Sequence, residues 1–107
     1  STLSSSSAAS DVYKRQDKQN GKLYVGSATS NYGMLLQRWQ SYVDNGHGGN
    51  KELRILVEKQ GLNYVKENFQ YSVLENYNGK IDDKFVLKRE SWWKEVLKSR
   101  EHGYNAN

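Results

Sequence analysis

The run Gln19-Asn20-Gly21-Lys22 constrains this chain more than any other short segment, because Asn-Gly is a strong local signal for a hairpin between antiparallel strands. The tightest hairpin turns need positive φ at both central residues, which asparagine and glycine tolerate. Leu23-Tyr24-Val25-Gly26 then alternates as a strand does, with Lys22 and Tyr24 on one face and Leu23 and Val25 on the other. A hairpin also needs a strand before the turn. The residues on offer are Asp11-Val12-Tyr13, followed by Lys14-Arg15-Gln16, whose polar side chains break the apolar alternation of a half-buried strand. Residues 1–10 are almost all Ser, Ala and Thr, with too little apolar surface to offset their ordering entropy. No Met begins the sequence, and the stretch from Ser10 to Gln16 resembles translated adapter DNA. Residues 1–16 are therefore expected to be a disordered or foreign N-terminal segment with a compromised first strand, and residues 17–107 the folded domain.

Beyond the hairpin the pattern alternates between helix and strand. Ser30, Asn31 and Gly33 lead into a helix expected over about 34–44, where Leu35, Leu36, Trp39, Tyr42 and Val43 follow helical spacing and Asn45-Gly46 stops it. After a His47-Gly48-Gly49 connector, Asn50 is placed to cap a helix over residues 51–60 that buries Leu53, Leu56 and Val57 and ends at Gly61. Phe69, Tyr71 and Val73 alternate within a strand expected over 68–76. A turn follows, and Asp82 or Asp83 caps a long last helix to about Arg100, with Gly103 as its terminator. The expected class is α/β in the α+β sense: a small three-stranded antiparallel sheet flanked by helices.

Composition narrows the partners. A chain of 107 residues supports one core, and its 36% hydrophobic content makes that core lean on three Trp, eight Tyr and two Phe. Cysteine is absent, which excludes disulfides and Cys-based zinc modules. No run reaches the length of a membrane span and no apolar leader is visible, so the chain reads as soluble and intracellular, cytoplasmic, with no membrane partner. A net charge of +4 and a pI near 9.3 fit a polyanionic partner.

Several residues are candidates for chemistry. Arg38 sits beside the apolar arc of its helix, one turn before Tyr42; a guanidinium there either grips two phosphate oxygens or covers Trp39 with its stem. Val86, Glu90, Trp93 and Leu97 recur at helical spacing, so the Glu90 carboxylate flanks an apolar stripe. Burial there demands either a lysine or arginine partner or a divalent cation. Tyr24 is either a packed strand aromatic or a reactive phenol. A phenol is ionised only about one part in a thousand at pH 7, so a base role requires nearby cations, for which Arg38 and Lys22 are the candidates. Tyr13 lies eleven residues before Tyr24, a separation that suits neighbouring hairpin strands. Gly26 lets the backbone turn closely beside such a site. His47 in its glycine-rich loop either contacts substrate or is simply solvated, and it has no metal-ligand partner at a suitable spacing.

The ordered set Tyr24-Val25-Gly26, Arg38 within Gln37-Arg38-Trp39, Lys88-Arg89-Glu90 and Gly103-Tyr104-Asn105 resembles the GIY-YIG endonucleases. Val25 replaces the isoleucine of the second triad, and Asp11-Val12-Tyr13 stands where Gly-Ile-Tyr belongs. The resemblance covers Tyr24 to Asn105. It implies a metal-dependent DNA endonuclease acting by direct water attack, without a covalent intermediate. It further implies that Glu90 is the lone protein ligand of Mg²⁺ (or another divalent cation such as Mn²⁺), that Arg38 contacts the phosphate, and that Tyr24 orients or deprotonates the water. Tyr42, four residues after Arg38, relays a proton or holds the phosphate; Asn105 ties the tail to the site; Tyr13 is a further participant; and Lys22 and His47 contact substrate. Arg38 and Glu90 are expected to converge in one cleft beside the Tyr24 phenol. Such domains usually gain specificity from an attached domain or a partner protein; here the sequence ends two residues after Asn105, so weak, salt-sensitive binding and low-specificity nicking are expected. A second hypothesis is a DNA-binding remnant without turnover, motivated by Asp11 and Arg15 at positions that should be small and apolar.

Overall fold

Residues 10–16, expected to fall outside the domain, form its central strand together with Asp17. The computed structural model describes residues 10–28, 44–46, 50–78 and 80–106. In chain order these form β1 (Ser10–Asp17), β2 (Leu23–Ala28), α1 (Lys51–Gln60), α2 (Leu62–Asn68), β3 (Phe69–Tyr77), α3 (Asp83–Leu97) and α4 (Ser99–His102). The sheet is antiparallel with order β2-β1-β3, the α+β arrangement anticipated. Because β1 is hydrogen-bonded on both sides, its buried backbone is paired. The charged side chains of Asp11 and Arg15 on it find partners too. Asn76 donates to Asp11 (2.6 Å), and Arg15 donates to the Gly46 carbonyl (3.1 Å) while lying 4.9 Å over the Phe69 ring. The domain therefore starts no later than Ser10, and the boundary expected at residue 17 is corrected.

The hairpin joining β1 to β2 is longer than its Asn-Gly signal suggests. Gly21 has φ +78°, but among the described non-glycine residues positive φ occurs at Lys98 and not at Asn20. Residues 18–22 instead form a loop closed by side chains: Asp17 accepts from the Gln19 amide and Asn20 from the Lys22 amide. The backbone bonds Asp17 N to Lys22 O and Gly21 N to Asp17 O seal it.

Strand alternation divides the core into two layers. Tyr13 and Tyr24 point to one face, where they pack with Leu53 of α1 and Tyr104 of the tail, and with Leu56, Phe69 and Tyr71. Val12 and Val25 point to the other, against Val86 of α3, with Leu74, Tyr77, Ile81, Trp93 and Leu97 around them. With both faces covered, each buried Val or Leu contributes roughly 1.5–3 kcal/mol of transfer free energy.

The helix caps follow local rules. Asn50 accepts from the Leu53 amide at the start of α1, and Gly61, at φ +90°, ends it. Asp82 caps α3 through the Lys84 amide. Helix α2 was not anticipated; it begins at Gly61 with no side-chain cap and buries only Val65, so its periodic signal is faint. The last helix is also broken: Lys98 is left-handed (φ 54°, ψ 39°) and separates α3 from α4, where one helix to about Arg100 was expected. Asp44 and Asn45 are helical and Gly46 turns at φ +81°, while the rest of the helix expected over about 34–44 falls on residues outside the described ones. Among the described residues no helix is long and apolar enough to cross a membrane.

Strand β3 is tied to α3 by Arg89, whose Nε donates to both Glu75 oxygens (3.0 and 3.1 Å), while Tyr77 donates to the same carboxylate. The Arg89 guanidinium also lies 4.5 Å over the Trp92 ring. The hydrogen bonds from Arg89 pull the Glu75 carboxyl down to about 2 from 4.5. Because the folded value is the lower one, this pairing stabilises the fold above about pH 4.5 and its contribution disappears as pH falls through 2. Urea titrations at pH 7, 4.5 and 2.5 should show Glu75→Gln losing less stability on acidification than the wild type. Equal losses in the two proteins would show that this ion pair does not drive the acid sensitivity.

Candidate active site

Glu90 stands on the middle turn of α3, the helix that covers the Val12–Val25 face. One carboxylate oxygen accepts from Ser27 Oγ on β2, and the other lies 2.8 Å from Lys94 Nζ, one helical turn further on. The side chain keeps 16% of its exposure and that of Lys94 only 6%. Of the two ways to satisfy this carboxylate, the structure shows a lysine partner. Sequence reasoning missed Lys94, although its i,i+4 spacing from Glu90 is readable on a helix, and missed Ser27, which lies two residues after Val25 on the same face of β2.

The tyrosines lie on the other face. Tyr13 is fully buried and stacks on Tyr71, with ring centroids 5.0 Å apart and planes at 21°. Its neighbour across the ladder is Gly26. A Cβ at Gly26 would sit 2.6 Å from Tyr13 Oη and 2.7 Å from Cζ. Gly26 thus lies within a regular strand and serves to admit the Tyr13 ring, whereas a chain turn had been expected there. Tyr24 is buried beside Tyr13 in the same cluster. Alternation along β2 therefore sends Tyr24 and Gly26 to one face, and Val25 and Ser27, with Glu90 beyond them, to the other.

Asn105, in the tail, is buried against β2. Its Oδ1 accepts from the Val25 amide (2.8 Å) and its Nδ2 donates to the Val25 carbonyl (2.9 Å). Both groups lie on the outer edge of β2, so the asparagine side chain acts as a short surrogate strand. The Tyr104 amide donates to Leu23 O and the Asn105 amide to Ser99 O, which fixes the tail along that edge. Gly103 makes this approach feasible: a Cβ there would lie 2.3 Å from Leu23 O.

A buried hub that the sequence did not suggest holds the tail from below. Asp17, fully buried at the end of β1, accepts from the Tyr64 hydroxyl with both oxygens (3.0 and 2.8 Å) and from the Tyr104 hydroxyl (2.8 Å). Burial pushes the Tyr104 phenol up to about 12, and the bond to Asp17 raises Tyr64. Both phenols are therefore protonated donors at neutral pH. Lys22 is exposed in the hairpin loop, with Nζ 5.9 Å from the centroid of the Tyr104 ring. Arg38, Tyr42 and His47 lie outside the described residues; the structure brings together Tyr13, Tyr24, Gly26 and Asn105 around β2. The expected placement of Glu90 beside the Tyr24 phenol is corrected, because strand alternation sends Tyr24 to one face and Ser27, which holds Glu90, to the other.

The antiparallel β2-β1-β3 sheet with helices packed against it matches the fold of the GIY-YIG catalytic domain. Among solved structures the chain is similar to the catalytic domain of the homing endonuclease I-TevI, at 26% identity and a TM-score of 0.65, over 92% of this chain and 98% of that one. It is equally similar to a mutant of the catalytic domain of intron endonuclease I-TevI in which one glutamate is alanine, at 25% identity and a TM-score of 0.66, over 92% of this chain and 94% of that one. No family model matches the sequence, and no curated protein matches it. The resemblance read from the four motifs is thus borne out by the fold.

Proposed function

We propose that this chain is a metal-dependent DNA endonuclease that hydrolyses phosphodiester bonds by direct attack of water. The observation that carries the reading is the likeness of nearly the whole chain to an endonuclease catalytic domain, combined with a half-buried carboxylate, Glu90, braced against β2. Glu90 suits a hard cation in donor type: it offers oxygen, retains lone pairs beyond those engaged by Ser27 and Lys94, and is partly open to water. In this reading Glu90 is the protein ligand that would hold the ion, with water filling the rest of its shell. Mg²⁺, which keeps most of its water when one carboxylate binds it, matches that donor count, and Mn²⁺ is an alternative. When bound, the cation supplies Lewis-acid charge at the scissile phosphate.

The chain's own residues supply position. Asn105 clamps β2 at Val25, between Tyr24 and Gly26, and Tyr13 is locked over Gly26. In this reading Tyr42 relays a proton or holds the phosphate and Arg38 grips two phosphate oxygens, while Tyr24, packed on the face of β2 away from Glu90, holds the strand in place. The water oxygen bonds to phosphorus, one ester oxygen leaves and takes up a proton, and no covalent enzyme intermediate forms. Lys22 and His47 contact the substrate backbone, and target choice comes from a separate domain or partner protein. The remnant hypothesis rested on a damaged first strand; β1 pairs with both neighbours, with a register shift between Val12 and Tyr13 on the β3 side.

Incubating the chain with supercoiled plasmid tests the proposal. Conversion to nicked circles is expected with Mg²⁺ and not with EDTA, together with DNA affinity that falls steeply as salt rises. Conversion no greater than that of a heat-inactivated sample at any Mg²⁺ or Mn²⁺ concentration would refute it.

A further inference from the structure

Lys94 is a buried cation whose position the proposed reaction does not explain. The residue is 5% exposed and its ammonium stands 2.8 Å from Glu90 Oε2. A lysine is rarely taken out of water to this extent without a counter-charge, because desolvating an ammonium is costly unless a partner offsets it. The partner here is the carboxylate that the proposed function assigns to a divalent ion, and its other oxygen is held by Ser27. A dication and an ammonium gathered on one largely buried carboxylate repel each other far more strongly than they would in open water.

We infer that Lys94 is a built-in competitor for the metal site, an internal cation that occupies Glu90 until a divalent ion displaces it. The inference rests on the reading of Glu90 as the metal ligand and adds a control on it. With the site unloaded, the ammonium neutralises and orients the carboxylate. Loading requires the flexible lysine stem to swing aside, so the metal concentration needed is higher than the donor set alone would demand. Lys94 acts through Glu90 and is a positioning residue; it tunes when the site fills.

Direct Mn²⁺ binding, followed by the electron paramagnetic resonance signal of the free ion, tests this on the full chain without DNA or turnover. Lys94→Met keeps the apolar stem and removes the charge, and is expected to bind Mn²⁺ at least about tenfold more tightly than the wild type, on the strength of the removed like-charge repulsion. Lys94→Arg keeps the charge and should stay within about twofold of the wild type, because the competing charge is retained. Mn²⁺ should also raise the melting temperature of Lys94→Met more than that of the wild type, since the ion takes over the partner role of the missing ammonium. If Lys94→Met does not fold, Lys94→Gln, which can still donate to Glu90, should show the same tightening. Adding Glu90→Gln to either variant should abolish the gain. Equal affinity in the wild type and the neutral variants, with both dependent on Glu90, would overturn the competition and leave the metal role of Glu90 standing. Binding indifferent to Glu90→Gln in every background would overturn both.

Discussion

Glu90→Gln is expected to reduce plasmid nicking at least about a hundredfold, the usual scale for removing one electrostatic group from a transition state. Glutamine has nearly the same shape and can still accept from Ser27, so the loss isolates the charge. The same substitution leaves the Lys94 ammonium buried without its carboxylate, 2.8 Å from where Oε2 was. Breaking a buried pair from one side is costly, and the partial exposure of Glu90 reduces the loss to about 2 kcal/mol. These two effects separate in the double variant Glu90→Gln with Lys94→Met. Urea unfolding should show most of the stability restored, because both charges have gone. Plasmid nicking should remain at background. A single variant that nicks within twofold of the wild type would remove Glu90 from the chemistry.

The second large effect is expected at Gly26. Alanine there places a methyl group 2.6 Å from Tyr13 Oη and 2.7 Å from Cζ, closer than any packed side chain sits. The ring cannot retreat, since Tyr13 is fully buried and stacked on Tyr71. Either the two central strands part or the tyrosine leaves its rotamer, and overpacking of this kind costs about 3 kcal/mol. Gly26→Ala should lower the urea midpoint accordingly, and Tyr13→Leu in the same chain should recover part of the loss by vacating the space. A midpoint shift worth less than about 0.5 kcal/mol would mean that the ring and the strand are not tightly packed. Ser27, next to Gly26 on the same strand, holds Glu90, so parting the strands should also disturb nicking in whatever fraction remains folded.

The features that local chemistry controls were legible. Asn50 and Asp82 cap their helices and Gly61 ends α1, because a cap is decided by a side chain and amides two or three residues away. The alternation of Phe69, Tyr71 and Val73 marked β3 to within a residue. The four motifs pointed to the correct fold because their order along the chain carries information that no single triad holds. Helix α2 and the break at Lys98 were missed. The first is too short to develop a period, and the second places a lysine in a conformation that lysine does not signal.

Misreading the first strand shows where local reasoning ends. Lys14-Arg15-Gln16 looks unsuited to a sheet interior when only its neighbours are considered. In the fold Arg15 finds the Gly46 carbonyl and the Phe69 ring, and Asp17 finds the hydroxyls of Tyr64 and Tyr104. All of these partners come from distant segments, and no pattern within residues 10–17 announces them. The same holds for Gly26, whose role depends on a tyrosine from the adjacent strand.

Sequence alone determined β2, α1, β3 and the start of α3, with the caps at Asn50 and Asp82, because each follows from side-chain identity and spacing along one segment. The roles of Tyr13, Tyr24, Glu90 and Asn105 came forward through the resemblance of the ordered motifs. Only the tertiary structure decided that residues 10–17 are the centre of the sheet, that Tyr24 and Glu90 address opposite faces of β2, and that Lys94 and Ser27 hold the carboxylate. The reason is physical: burial is tolerable for a charge or a polar backbone group only when a partner arrives, and here those partners are delivered by chain folding across long separations.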